Sequence, residues 1–270
     1  MRVSPFIVGH RRCEFRPWSG FRHLVYPGQL APVDSVEDLV LHDRVDLESL
    51  HNNRTSEYFY LFGLRRLIQR RPADFGDAIM VAHYRRFIAD RQLGPFSRNV
   101  PWVSVISPQQ AQAVDPLVLV PSLSRQTGWY LGRPLAFQGG LLGQTVQHHP
   151  AQDFLRFLAS AVDTGVLTPA QLPRVLGPDM LLVPSASAGM LPTEFFVSTM
   201  IQLETCARHF LDHGYRELEG YQRRIIGFCL ERLHSFLSLA ELERRGIDTA
   251  QVIGIETVVN PQGDIIQPSV

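Results

Sequence analysis

His83-Tyr84-Arg85-Arg86 is the part of this chain whose residue types and order most invite a chemical reading. These residues follow directly on Asp77-Ala-Ile-Met-Val-Ala82, a short apolar run of the kind that forms a buried strand. A buried strand holds its backbone still, so side chains at its carboxyl end are presented at a set place. Two guanidiniums there would clamp a pyrophosphate or carboxylate, and His83 would donate a hydrogen bond or a proton. The same arginine pair would serve equally well as a structural bridge to helix acids.

A second pattern is Tyr221-Gln-Arg-Arg-Ile-Ile-Gly-Phe-Cys-Leu-Glu-Arg-Leu233. On a helix, Arg224, Gly227 and Glu231 lie three to four residues apart and share a face. A glycine inside a helix costs up to about 1 kcal/mol relative to alanine, so Gly227 points to something packed close against the backbone. Glu231 would orient an arginine or act as a carboxylate base, and surface salt bridges are the plain alternative. His209 and His213, with Asp212 between them, have a metal-compatible i,i+4 spacing but lack an HExxH pattern and an evident third ligand. The ordinary reading is a pair of histidines at a helix end. His148-His149 precede Pro150 in a stretch that would line a site. Asp43 and Asp46 have the wrong spacing for an Asp-x-Asp metal motif. No GxSxG, P-loop or GxGxxG occurs, and Gly139-Gly140 with Gly143 reads as a turn.

Composition narrows the classes of function. All 26 basic residues are arginine, which excludes Schiff-base lysine chemistry and a P-loop lysine. The ordinary source of such a bias is a GC-rich coding sequence. Acidic residues also number 26, so the formal net charge is zero, and no overall field recruits nucleic acid or an anionic membrane. Any anion site must be local. The three cysteines, Cys13, Cys206 and Cys229, are far apart and argue against a disulfide framework or a zinc ribbon. The opening residues do not read as a signal peptide, and no run is long enough to span a bilayer. The expected compartment is the cytosol.

The elements that must position these residues alternate between strand and helix. Val3–Val8 reads as a first strand ending at Gly9-His10-Arg11-Arg12, and 16–35 reads as loop. A helix is expected over Glu57–Arg70, stopped by Pro72. A short helix at 108–114 and a buried strand over Asp115–Val120 follow, closed by Pro121. Residues 122–149 read as one long loop. Asp153–Val162 is amphipathic, and Thr168-Pro169 has the form of a helix N-cap. Short strands are expected at Met180–Pro184 and Ala188–Leu191, and helices from Thr193 to about His213 and over Tyr221–Leu239. Residues 241–270 read as a tail, with β-favouring pieces at Val252–Val259. The pattern is that of one α/β sandwich over 1–270: a sheet-rich, nucleotide-binding half to 121, a mostly parallel sheet, and a helical part over 150–240. Ligands in such sheets bind at the carboxyl ends of the strands, where 83–86 fall.

Over residues 5–240 the order of motifs resembles a bacterial glycosyltransferase-like family whose hallmark is a strand followed by His-Tyr-Arg-Arg and Tyr or Phe. Ala82-His83-Tyr84-Arg85-Arg86-Phe87 reproduces that hallmark. Val8-Gly9-His10-Arg11-Arg12 corresponds to its first strand and basic loop. Asn52 through Glu57 matches its Asn-x4-Glu helix start, and Asp115 to Pro121 its Asp-x4-Pro strand. Arg224-Ile-Ile-Gly-Phe-Cys-Leu-Glu-Arg-Leu233 matches its closing helix, and His148 or His149 its histidine before a helix. The chain departs from the family at Ser187-Ala188-Gly189-Met190, where an Asn-Met-Phe strand is usual, at Ser56, where a cysteine is usual, and in the loop from 121 to 149, which lacks a tyrosine and histidine cluster.

The resemblance implies a GT-A-like fold and transfer of a sugar from a nucleotide sugar, a UDP-sugar for instance, to a hydroxyl acceptor. It implies Arg85 and Arg86 on the donor pyrophosphate, in place of a metal, together with His10, Arg11 and Arg224. It implies Glu57 or Glu231 as base, with His83 or His10 as alternatives, and His148 and His149 on the acceptor side. No cofactor is called for beyond the substrate, and metal dependence, donor sugar, acceptor and oligomeric state stay open. Two other readings remain: a natural-product enzyme that keeps the anion pocket for another transfer, and a non-catalytic binding protein on the same fold.

Overall fold

The computed structural model describes residues 1–13, 18–30, 37–42 and 44–260. Asp43, Pro17, Pro32 and the last ten positions, with their two prolines, lie outside the described residues.

The framework is the parallel pair β1 (Val3–Val8) and β4 (Ala78–His83), aligned from Val3 opposite Ala78 to Val8 opposite His83. Every residue of β4 is buried, as expected of a strand covered on both faces. Successive side chains point to opposite faces. Phe6, Val8, Ile79 and Val81 therefore enter the larger core, while Ile7, Ala78, Met80 and Ala82 enter a smaller core with Trp18, Phe21 and Phe87. Outside β1 lie β2 (Arg22–Val25) and β3 (Asp38–Val40), both parallel. Residues 16–35 are thus not all loop, because Leu24 and Val25 supply a short buried strand.

On the other side of β4, the turn at Tyr84-Arg85 leads into the antiparallel β5 (Arg86–Ala89), with His83 opposite Arg86. β6 (Val103–Ile106), the two-residue β7 (Leu131–Gly132), β8 (Gly189–Pro192) and β9 (Ile253–Val259) complete the sheet. The main path runs β3-β2-β1-β4-β5-β9-β6, with β8 on β4 and β7 on β9. Parallel pairings predominate. The segment expected as a tail is instead central, since β9 lies antiparallel to β5 and parallel to β6.

The larger core lies under a layer of helices. α1 (Asn52–Thr55) and α2 (Tyr58–Arg70) are separated by Ser56, whose φ is +54°. α3 (Pro108–Gln112) is closed by a Ser107/Gln110 capping box. α4 (Ser122–Thr127) and α5 (Gly140–His148) occupy the stretch read as a single long loop. Gly139 and Gly140, with φ of +75° and +60°, carry the chain into α5 through a conformation that side chains disfavour, which hid the helix from a propensity argument. α6 (Ala151–Asp163), α7 (Leu172–Val175), α8 (Thr193–His213) and α9 (Ile225–Arg244) follow. α9 runs one turn beyond its expected end, and Gly220–Arg224 before it is a 3-10 turn. Phe59, Phe62, Phe154, Phe157, Phe196 and Phe210 fill the space between sheet and helices.

Two expected strands are absent. Asp115–Val120 forms turns: Asp115 Oδ1 accepts the Leu117 N–H at 2.9 Å, and the Arg125 guanidinium donates to the Leu117, Val118 and Val120 carbonyls at 2.7–3.0 Å. Those bonds occupy backbone groups that a strand would need. Met180–Pro184 contributes one bridge, Leu182 to Leu135.

Many arginines have structural partners. Glu204, buried on α8, accepts from Arg65, Arg66 and Arg208, and Arg12 pairs with Asp38 in a fork. Arg216 pairs with buried Asp153, and Arg244 and Arg245 with Glu241.

Candidate functional site

At the carboxyl ends of β1 and β4 lies a cavity of about 280 Å³, lined by Gly9, His10, Arg11, Ser56, Glu57, Tyr60, His83, Tyr84, Arg85, Arg86 and Arg224. A second, of about 230 Å³, continues from it along α9, adding Ser185, Ser187, Tyr221, Phe228 and Glu231. Eight of the sequence-derived site residues (His10, Arg11, Glu57, His83, Arg85, Arg86, Arg224 and Glu231) therefore converge on one cleft. They come from four places in the chain. The sheet brings 10–11 beside 83–86, and the packing of α9 against the α1–α2 junction brings 224–231 beside 57.

That packing depends on Gly227. A Cβ there would stand 2.8 Å from Ser56 Oγ and 3.1 Å from the Thr55 carbonyl carbon. The close approach suspected from a glycine inside a helix is therefore to the turn that carries Glu57.

The two arginines of the hallmark differ sharply. Arg85 is exposed and lies over the Tyr84 ring at 5.5 Å; it has no carboxylate partner among the described residues. Arg11 and Arg224 are likewise exposed and form no ion pair among the described residues. Arg86 is tied down: its Nε is 3.1 Å from Glu256 Oε1 and its Nη1 donates to Ser185 Oγ at 2.7 Å. Of the two arginines expected on a donor pyrophosphate, Arg86 already has a carboxylate partner among the described residues and Arg85 does not. Arg86 forms the floor of the cleft with its charge already offset by Glu256, and burial is outweighed by Glu256, Glu57 and Glu231 in holding its proton more firmly.

Ser185 knits this floor together. Its hydroxyl donates to Glu256 Oε1 at 2.8 Å, and its N–H donates to Glu231 Oε1 at 2.8 Å. It does so from a φ of +51°, a conformation that is costly for a residue with a side chain. Burial pushes the Glu231 carboxyl upward, against Arg232, the Ser185 N–H and Arg86. Burial also acts upward on Glu57, but the charges of His83 and Arg86 prevail and its carboxyl lies below the ordinary range. Burial lowers His83, against the opposite pull of Glu57. Its Nδ1 is 3.8 Å from Glu57, and its Nε2 is 3.1 Å from Ser187 Oγ. His10 is also lowered, first by partial burial and then by Arg11 and Arg224.

His148 and His149 part company. His148 is exposed and lines a third cavity, described below. His149 is packed into the wall, its ring stacked 4.0 Å from Phe228 and bonded to Gln222 at 2.9 Å, and burial lowers it to about 4. It lines none of the three described cavities. His209 and His213 stack at 4.3 Å with no third ligating side chain beside them among the described residues. No described helix is long and apolar enough to cross a membrane.

Sequence reasoning missed Ser185, Ser187 and Glu256. Glu256 did leave a signal, as a lone acid inside the β-branched run Val252–Val259. Ser187, in the segment where the chain departs from the family's pattern, holds His83 through its Oγ.

This architecture, a mostly parallel sheet with its polar cleft at the strand ends under a helical layer, is a glycosyltransferase fold. A solved apo structure of WbbM, described as a bifunctional glycosyltransferase, superposes on 96% of this chain with a TM-score of 0.69 at 11% identity. The match covers 46% of that chain, so this protein spans less than half the length of WbbM. No protein-family profile matches the sequence, and no curated protein does so.

Proposed function

We propose that the protein transfers a sugar from a nucleotide-sugar donor to an acceptor hydroxyl. The observation that carries this reading is the set of guanidiniums at Arg11, Arg85 and Arg224, which face the cleft at the ends of β1 and β4 and form no ion pair among the described residues. The remaining arginines described above hold structural acids or backbone carbonyls. Exposed guanidiniums at strand ends suit a diphosphate, which they grip through paired charge-assisted hydrogen bonds. The resemblance of motifs and the likeness of fold to WbbM point the same way.

In this reading the nucleoside diphosphate lies against Gly9–Arg11, Arg85 and Arg224. Glu231 takes the acceptor proton, and the acceptor oxygen forms its bond to the anomeric carbon. The bond from that carbon to the phosphate oxygen breaks, and its electron pair leaves with the diphosphate, where Arg85 and Arg224 offset the growing charge. Glu231 suits the base role better than Glu57 because burial raises its proton affinity, whereas Glu57 sits among cations that lower it. His83, between Glu57 and Ser187, fixes the wall of the donor site.

Calorimetric titration with UDP and UDP-sugars, with and without manganese, tests the donor site. Binding is expected, weakened about tenfold in Arg85→Ala and in Arg224→Ala, the loss of one charge-assisted contact. Absence of nucleotide binding under both conditions, or an Arg85→Ala protein that binds as well as the parent, refutes the reading.

A further inference from the structure

A third cavity, of about 230 Å³, opens on the far side of the Ser185 floor. One side of it is apolar, with Trp102, Phe137, Leu135, Leu182, Val100 and Val258. Trp102 and Phe137 meet edge to face at 6.2 Å, and Trp102 is 36% exposed, unlike Trp18 and Trp129, which are 5% and 0% exposed. Arg86, Ser185 and Glu231 line this cavity and the arginine cleft alike, so the two spaces meet at the carboxylate.

The polar groups around this cavity are largely spoken for. Arg86, Ser185 and Glu256 bond to one another, Glu231 Oε1 holds the Ser185 N–H, and the Gln144 carbonyl accepts from Arg232. What is left for a ligand is Glu231 Oε2, Glu256 Oε2, Arg86 Nη2, the Gln144 amide hydrogens and the His148 ring at the rim. A sugar ring carries hydroxyls around its whole edge, and those turned to the Trp102 and Phe137 wall would be stripped of water and unpaired, which is unfavourable. A flat apolar body carrying one hydroxyl would lose nothing of that kind, and its ring would face Trp102. The volume, below the roughly 300 Å³ at which ordinary ligand pockets begin, suits a single ring system.

We infer that this cavity holds the acceptor, and that the acceptor is a ring-sized, phenol-like molecule whose single reacting hydroxyl points at Glu231. The inference rests on the glycosyl-transfer reading, which supplies the partner in the arginine cleft. It separates this chain from enzymes that extend a glycan.

The test uses the full chain with UDP present, 4-nitrophenol as the aromatic probe, and methyl β-D-glucopyranoside and methyl β-D-galactopyranoside as the sugar probes. Binding is read by saturation-transfer NMR and by quenching of tryptophan fluorescence, which reports chiefly on Trp102. 4-Nitrophenol is expected to bind about tenfold or more tightly than either glycoside, to be weakened about tenfold in Trp102→Ala, and to be retained in Trp102→Phe, which keeps an aromatic face. UDP affinity is expected to be the same in all three proteins. Glycosides that bind as well as 4-nitrophenol, or 4-nitrophenol binding that ignores Trp102→Ala, overturn the inference while leaving UDP binding untouched. Trp102-dependent 4-nitrophenol binding in a protein that takes no nucleotide supports the pocket and overturns the donor reading alone.

Discussion

Gly227→Ala sets two physical effects against each other, and the structure says which one wins. Helix propensity alone favours the change by about 1 kcal/mol, since Gly227 lies inside α9. Packing opposes it: the new methyl would meet Ser56 Oγ at 2.8 Å, Ser56 Cβ at 3.2 Å and the Thr55 carbonyl carbon at 3.1 Å. Two of those atoms are not free to swing away, and Ser56 already sits at a φ of +54°. Overpacking of this kind costs about 1–3 kcal/mol. The expected net result is a destabilisation of about 0–2 kcal/mol, read as a lower midpoint in urea with an unchanged slope. Donor affinity should fall as well, because the methyl pushes Glu57 away from Arg224. Ser56→Gly provides the internal check. It removes both Ser56 contacts and relieves the positive φ, so it should be stabilising by itself and should rescue Gly227→Ala with a coupling of about 0.5–3 kcal/mol. A Gly227→Ala protein more stable than the parent by the full propensity gain, with no coupling to Ser56→Gly, would show that α9 and the α1–α2 turn do not touch as described.

Glu231→Gln keeps an oxygen for the Ser185 N–H but removes the base, so turnover should fall about 10²–10⁴-fold with donor affinity unchanged. Because burial raises this carboxyl above its ordinary 4.5, turnover in the parent should climb with pH along a limb lying above that value, and the variant should lose the limb. The folded state favours the protonated form, so ionisation works against the fold as pH rises, and the variant should melt no lower than the parent at neutral pH. Glu204 behaves oppositely. Burial is outweighed by Arg208, Arg66 and Arg65, its carboxyl lies below 4.5, and its contribution is present above that value and lost as pH falls beneath it. Glu204→Gln should therefore cost about 1.5–3 kcal/mol at neutral pH and little in acid, measured by denaturant titration at both pH values.

The residues of the cleft were largely legible in the chain because each belongs to a local signal. An apolar run ending in His83–Arg86 reads as a strand that delivers charge, and Gly227 inside a helix reads as a place of close approach. Turn chemistry was less legible: Asp115–Val120 has the composition of a strand, but the Asp115 side chain and Arg125 take its backbone bonds. Helices entered through glycines, as α5 is, contradict propensity and read as loop.

What tertiary structure alone decided is which arginine faces outward. Arg85 and Arg86 are adjacent and chemically identical in the sequence, yet one is open to the cleft and the other is held by Glu256 on β9, 170 residues further along. Strand pairing is a non-local choice, made by whichever edges bury the most apolar surface together, so nothing near position 86 foretells the insertion of β9 beside β5. The same insertion, together with Ser185 between the two spaces, divides a charged cleft from an apolar one and leaves Glu231 at their border.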